Sequence, residues 1–120
     1  MDKDNVIRDK SYAFAIRVVN AYKYLSENKR EFVLTKQLLR SGTAIGALVA
    51  EAHHAQSTAD FLNKMNVALK EANETLYWLS LLKDTEYLEE KYFESIYLDC
   101  NELVAMLVSI VKTVKNSLNK

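Results

Sequence analysis

Apolar residues recur at three- and four-residue intervals along nearly the whole chain, the period of a helix buried on one face. Four such runs are separated by short polar breaks. In the first, Phe14, Val18, Ala21, Tyr22 and Leu25 share a face, which predicts a helix from about Asp9 to Leu25. Past Ser26–Arg30, Leu34, Leu38, Ser41, Ile45, Leu48 and Ala52 define a second helix over about Glu31–His54. The third, about Thr58–Lys83, carries Phe61, Met65, Ala68, Ala72, Leu76, Leu79 and Leu82. Ser57 ahead of Asp60 is close to a capping box there, with a shorter acid in the third helical position. Asp84-Thr85-Glu86 interrupts the period, and Phe93, Ile96, Cys100, Leu103, Leu107, Ile110 and Val114 continue it in a fourth helix over about Glu89–Ser117. The acidic first turn of that helix, and Lys112 and Lys115 near its end, suit the helix dipole. There is no proline to break any of the four. Amphipathic helices joined by short turns predict an all-α, antiparallel up-down-up-down four-helix bundle, one domain over residues 1–120.

The second helix holds both glycines of the protein, Gly42 and Gly46, among Ser41, Thr43, Ala44, Ala47 and Ala50. Residues four apart share a helix face, and a helix-interior glycine costs roughly 1 kcal/mol relative to alanine. Such a stripe fits close approach of a neighbouring helix. Folding the chain about its turns places Val18 and Phe14 opposite Gly42 and Gly46. The same register puts Arg40 near Glu71 and Glu74 of the third helix, an expected structural ion pair.

Helices three and four carry more apolar residues than one core face needs. Leu69, Tyr77 and Trp78 on the third and Tyr97, Val104 and Val108 on the fourth widen the apolar arc. A helix apolar over a wide arc is central or covered by a partner, and a four-helix bundle has no central helix. These six residues are the expected self-association surface, to which the Tyr/Trp content also points.

Charge changes this picture only locally. The 16 basic and 16 acidic residues cancel, whereas wholesale nucleic-acid binding usually shows a basic excess. Residues 1–40 are net +4, residues 84–102 net −6 and residues 103–120 net +3. The first and third turns share one end of the bundle, so the basic Lys29-Arg30 turn should lie beside the acidic Asp84–Glu94 segment. Arg17, Lys23, Lys36 and Arg40, with interleaved tyrosines, are the candidate nucleic-acid-binding set; solvated lysines and arginines on amphipathic helices would look the same.

Catalytic chemistry finds little footing. Glu51-Ala52-His53-His54 contains the Glu-x-x-His spacing of di-iron bundles, but His53 and His54 are the only histidines, so a second motif cannot exist. Glu51, His54 and Asp60 are read as polar residues at a helix end. Cys100 is the only cysteine, within an apolar run, and is expected to be a buried free thiol. The expectation is a non-enzyme without catalytic residues, metal or cofactor. The charged N-terminus and the lack of a long apolar run lead to the expectation of a cytoplasmic protein.

Leu38–Ala52, LLRSGTAIGALVAEA, followed by STADFLNKMNVALKEANETLYWLSLL, resembles the four-helix-bundle family of 23S rRNA-intervening-sequence proteins. The likeness extends to DKSYAFAIRVVNAYKYL at the start. It is carried by the small-residue second helix, by Ser57, Asp60 and Phe61, and by Lys70, Glu71, Ala72, Glu74, Thr75, Tyr77, Trp78 and Leu79. The resemblance implies a bacterial bundle assembling as a ring-like homopentamer, encoded within an rRNA gene, with a scaffold or adaptor role linked to RNA or ribonucleoprotein. A related branch, the accessory variability determinant of diversity-generating retroelements, implies the alternative of a nucleic-acid-binding partner of a reverse transcriptase. That branch is basic; this chain is neutral and has a strongly acidic sector.

Overall fold

The computed structural model describes residues 3–119. Its elements are four helices: α1 (Lys3–Glu27), α2 (Leu34–Ala52), α3 (Thr58–Asp84) and α4 (Glu90–Leu118). Each packs against two neighbours, α1 on α2, α2 on α3 and α3 on α4, while α1 closes the ring more sparsely against α4. The result is the expected up-down bundle, 50 × 24 × 21 Å. Leu38, Ile45, Met65, Leu79, Leu82, Ile96, Leu103 and Leu107 are among the side chains that fill its axis.

Two helix starts differ from the sequence expectation. α1 begins at Lys3 rather than near Asp9, because Ile7 and Ser11 are both buried and extend the Phe14–Val18 face by two turns. α2 begins at Leu34 rather than Glu31. Glu31 lies outside the helix, nearly buried, and its carboxylate accepts from the amides of Val33 (3.0 Å), Leu34 (2.8 Å) and Thr35 (2.9 Å). It thus satisfies donors that the first turn of a helix leaves without intrahelical partners. The buried stripe of α2 also includes Thr35, Gly42 and Val49, while Leu48, expected in it, is only half-buried at its edge.

α3 starts as its sequence suggests, the Ser57 hydroxyl accepting from the amide of Asp60 at 3.0 Å. Its far end is a Schellman motif. The amide of Tyr87 donates to the carbonyl of Leu82 (2.8 Å) and that of Glu86 to Lys83 (3.0 Å). The residue in the left-handed position is Glu86, at φ 70°. An L side chain there costs about 1 kcal/mol that glycine avoids. Glu86→Gly is therefore expected to raise stability by about 0.5–1 kcal/mol, read as a higher urea midpoint. A lower midpoint would mean that the Glu86 side chain makes a compensating contact.

Candidate functional site

The glycine stripe of α2 meets α1 at close range. A Cβ added to Gly42 would lie 2.7 Å and 2.8 Å from the two γ-methyls of Val18, inside any allowed carbon contact. Val18 is fully buried and β-branched, so its methyls have little room to turn aside. At Gly46 the nearest atom is the backbone carbonyl oxygen of Ser11, 3.2 Å from the added Cβ. The Val18–Gly42 register is as expected, while the residue that fits against Gly46 is Ser11, one turn before Phe14.

On its other flank α2 meets α3 through polar groups at two depths. In the interior, the Thr75 hydroxyl lies 3.0 Å from the Ser41 hydroxyl and donates to the carbonyl of Glu71 at 2.8 Å, so that Ser41 can donate to Thr75. Nearer the surface, the Arg40 guanidinium spans Glu71, at 3.2 Å, and Glu74. Glu74 also accepts from the indole N–H of Trp78 at 2.9 Å. That bond, followed by the contact with Arg40, holds the Glu74 carboxyl below its ordinary value against the opposing effect of burial. Trp78 thus lies toward α2, and its ring also meets that of Tyr77 edge-on, the centroids 4.9 Å apart.

Of the other residues expected to mediate self-association, Tyr97, Val104 and Val108 share one flank of α4. Phe93 of α4 lies under the ammonium of Lys83 of α3, at 5.4 Å, and against Tyr97, ring centroids 5.1 Å apart. This fixes the α3-facing flank of α4, and Val104 and Val108 continue along it at helical spacing. The Cys100 thiol donates to the carbonyl of Ala72 at 3.4 Å and sets the register across the pair. Leu69, Tyr97 and Val104 rest half-buried on the core, whereas Tyr77 and Val108 are 59% and 47% exposed. Tyr97, Val104 and Val108 thus line the α3-facing flank of α4. Cys100 is buried beneath it, and burial pushes its thiol up to about 12, a protonated and unreactive state at neutral pH.

The four candidate nucleic-acid-binding residues do not act as one patch. Arg17 joins α1 to α4: it donates to Asp99 at 2.8 Å and Ser95 at 3.2 Å, and lies over the Tyr92 ring. Arg40 is held by its two carboxylates, and Lys23 and Lys36 are exposed elsewhere on α1 and α2. Lys10–Glu102, at 2.8 Å, adds a second bridge across the α1–α4 seam. At the other pole Glu51 pairs with Lys64 at 3.5 Å. No group of three or more His, Cys, Asp or Glu side chains gathers as a metal site among the described residues. No helix is long and apolar enough to cross a membrane among those residues.

The fold and these surfaces define a helical-bundle protein organised around helix contact. The chain belongs to the 23S rRNA-intervening sequence protein family, which it matches over residues 3–109. It is also similar to the crystal structure of a protein of unknown function from the S23 ribosomal protein family of Bacteroides thetaiotaomicron VPI-5482. The two are 58% identical and superpose with a TM-score of 0.91, over 92% of this chain and 99% of that one. Comparison with curated proteins finds no match.

Proposed function

We propose that the protein is a non-catalytic, self-associating scaffold or adaptor of the cytoplasm, a homopentamer linked to RNA or ribonucleoprotein. The observation that carries self-association is the surplus of apolar side chains on the outer faces of α3 and α4: Tyr77 and Val108 are 59% and 47% exposed, and Leu69, Tyr97 and Val104 are only half-buried. Exposed apolar surface of this kind is characteristic of interaction sites. The number five and the RNA link rest on the family resemblance. The alternative, a nucleic-acid-binding accessory of a reverse transcriptase, has less support, because Arg17 and Arg40 are already neutralised by carboxylates.

Light scattering coupled to gel filtration is expected to give about five times the 13.8 kDa protomer mass. Val108→Glu and Tyr77→Glu, both at exposed positions, should reduce that mass toward one protomer while leaving the helical circular dichroism unchanged. A parent protein that is monomeric at micromolar concentration would remove the proposal.

A further inference from the structure

Three of the helix seams are closed by a contact that is itself buried. Val18 fills the space that Gly42 leaves between α1 and α2. The Ser41 and Thr75 hydroxyls, both fully enclosed, meet across α2–α3 at 3.0 Å. The Cys100 thiol bonds to the Ala72 carbonyl across α3–α4 at 3.4 Å. The α1–α4 seam is built differently. Its packing is the sparsest of the four, and two clefts open along it. One, about 230 Å³, is lined by Phe14 of α1 and Leu103 of α4. The other, about 370 Å³, is lined by Ala21 of α1 and Tyr92 of α4, with Leu88 beside them. Phe14, Ala21, Leu88 and Leu103 are at most 5% exposed, so both clefts reach down to the core.

Charge bridges this seam at the surface. Lys10 meets Glu102 and Arg17 meets Asp99, each at 2.8 Å, with the four side chains 31–54% exposed. Arg17 holds the most. Its guanidinium also donates to Ser95 at 3.2 Å and lies 5.4 Å from the centre of the Tyr92 ring. One side chain of α1 thus grips three residues spaced three and four apart on one side of α4. Exposed ion pairs of this kind hold weakly and are screened by salt, unlike the buried contacts of the other seams. A folded chain opens first where few buried contacts resist.

We propose that the α1–α4 seam is the edge at which the bundle opens, α1 moving off α4 while the other three seams stay closed, and that Arg17 is the latch that limits the movement. Opening brings water to Phe14 and Leu103. It leaves the α3-facing flank of α4, with Tyr97, Val104 and Val108, where it was, so the movement does not require loss of self-association. Salt, by screening the Arg17 and Lys10 pairs, favours the open form.

The test traps a thiol at the floor of the seam. Leu103→Cys in a Cys100→Ala background puts one there, its shorter side chain lying deeper than the leucine it replaces. Cys100 of the parent protein, buried in the α3–α4 seam, is the reference. A thiol freed only by global unfolding is alkylated at the rate set by the urea-measured stability of the same protein. The reference should follow that limit, and the thiol at position 103 should exceed it at least about tenfold. Raising NaCl from about 50 mM to about 500 mM should quicken it about threefold. Arg17→Gln should quicken it by a similar factor and remove most of the response to salt. Lys23→Gln, at an exposed cation of α1 outside the seam, should change it by less than about twofold. Light scattering on each variant should show the parent mass. A thiol at position 103 that reacts no faster than global unfolding allows, a rate indifferent to salt, or an Arg17→Gln effect no larger than that of Lys23→Gln would each overturn the proposal.

Discussion

Gly42→Ala is expected to destabilise the bundle by about 2 kcal/mol, although alanine is the better helix former. Propensity alone favours the substitution by roughly 1 kcal/mol. Against this, the new methyl would sit at 2.7–2.8 Å from Val18, and either α1 must move away or Val18 must leave its rotamer. Overpacking of that kind costs typically 1–3 kcal/mol before backbone shifts are counted. The balance is decided by Val18 being completely enclosed, which leaves no direction in which to yield. Gly46→Ala is the internal control. Its contact, 3.2 Å to the Ser11 carbonyl, is tight without being forbidden, so the propensity gain should largely offset it. Urea midpoints at one protomer concentration would separate the two, with a fall of about 1 M for the first. Combining Gly42→Ala with Val18→Ala should cost less than the sum of the single changes, because the clash is lost with the second methyl pair. A Gly42→Ala protein as stable as the parent would mean that α1 can lift away at no cost.

Glu31→Ala should cost about 2–3 kcal/mol. The carboxylate accepts from three successive amides, of Val33, Leu34 and Thr35, at 2.8–3.0 Å, and is only 8% exposed. Hydrogen bonds to a charged acceptor are worth more than neutral ones. Removing it also leaves the Thr35 amide in a buried position without a partner. Glu31→Gln keeps one acceptor oxygen and should retain part of the stability. Glu31→Asp is too short to reach all three amides and should resemble alanine. The expected signature is a melting temperature lower by about 10 °C, with faster hydrogen exchange at the amides of residues 33–35. A change of under about 2 °C would show that water replaces the carboxylate there.

These two sites differ in how far they could be read from sequence. The pair Gly42 and Gly46 at four-residue spacing, set against the only comparable apolar face upstream, leads directly to the Val18 contact. The same folding about the turns places Arg40 between Glu71 and Glu74, as observed. Glu31 is different. It sits beside an apolar-periodic run and reads as the first residue of the helix, because the usual capping signal is a short Ser, Thr, Asp or Asn at the boundary. A longer acid reaching forward from two residues before the cap has no such signature. The start of α1 was hidden for a related reason: MDKDNVIRDK shows no helical apolar period, and the partner of Ile7 on the buried face is Ser11, a polar residue that fits because Gly46 lets the backbones close. The fate of Arg17 needed the α1–α4 register, which no single turn supplies. Trp78 adjoins Tyr77 in sequence and touches its ring, but its indole N–H turns to the Glu74 carboxylate, toward α2.

The Ser41–Thr75 hydroxyl pair has a consequence for alignment along the bundle axis. Greasy contact alone is a weak guide to how far along one rod its neighbour sits. A slip of one turn, about 5.4 Å, would carry Ser41 away from Thr75 and leave a hydroxyl in a dry interior, at about 1–3 kcal/mol. The pair, with Arg40 held by Glu71 and Glu74 on the same flank, thus singles out one lengthwise setting of α2 on α3.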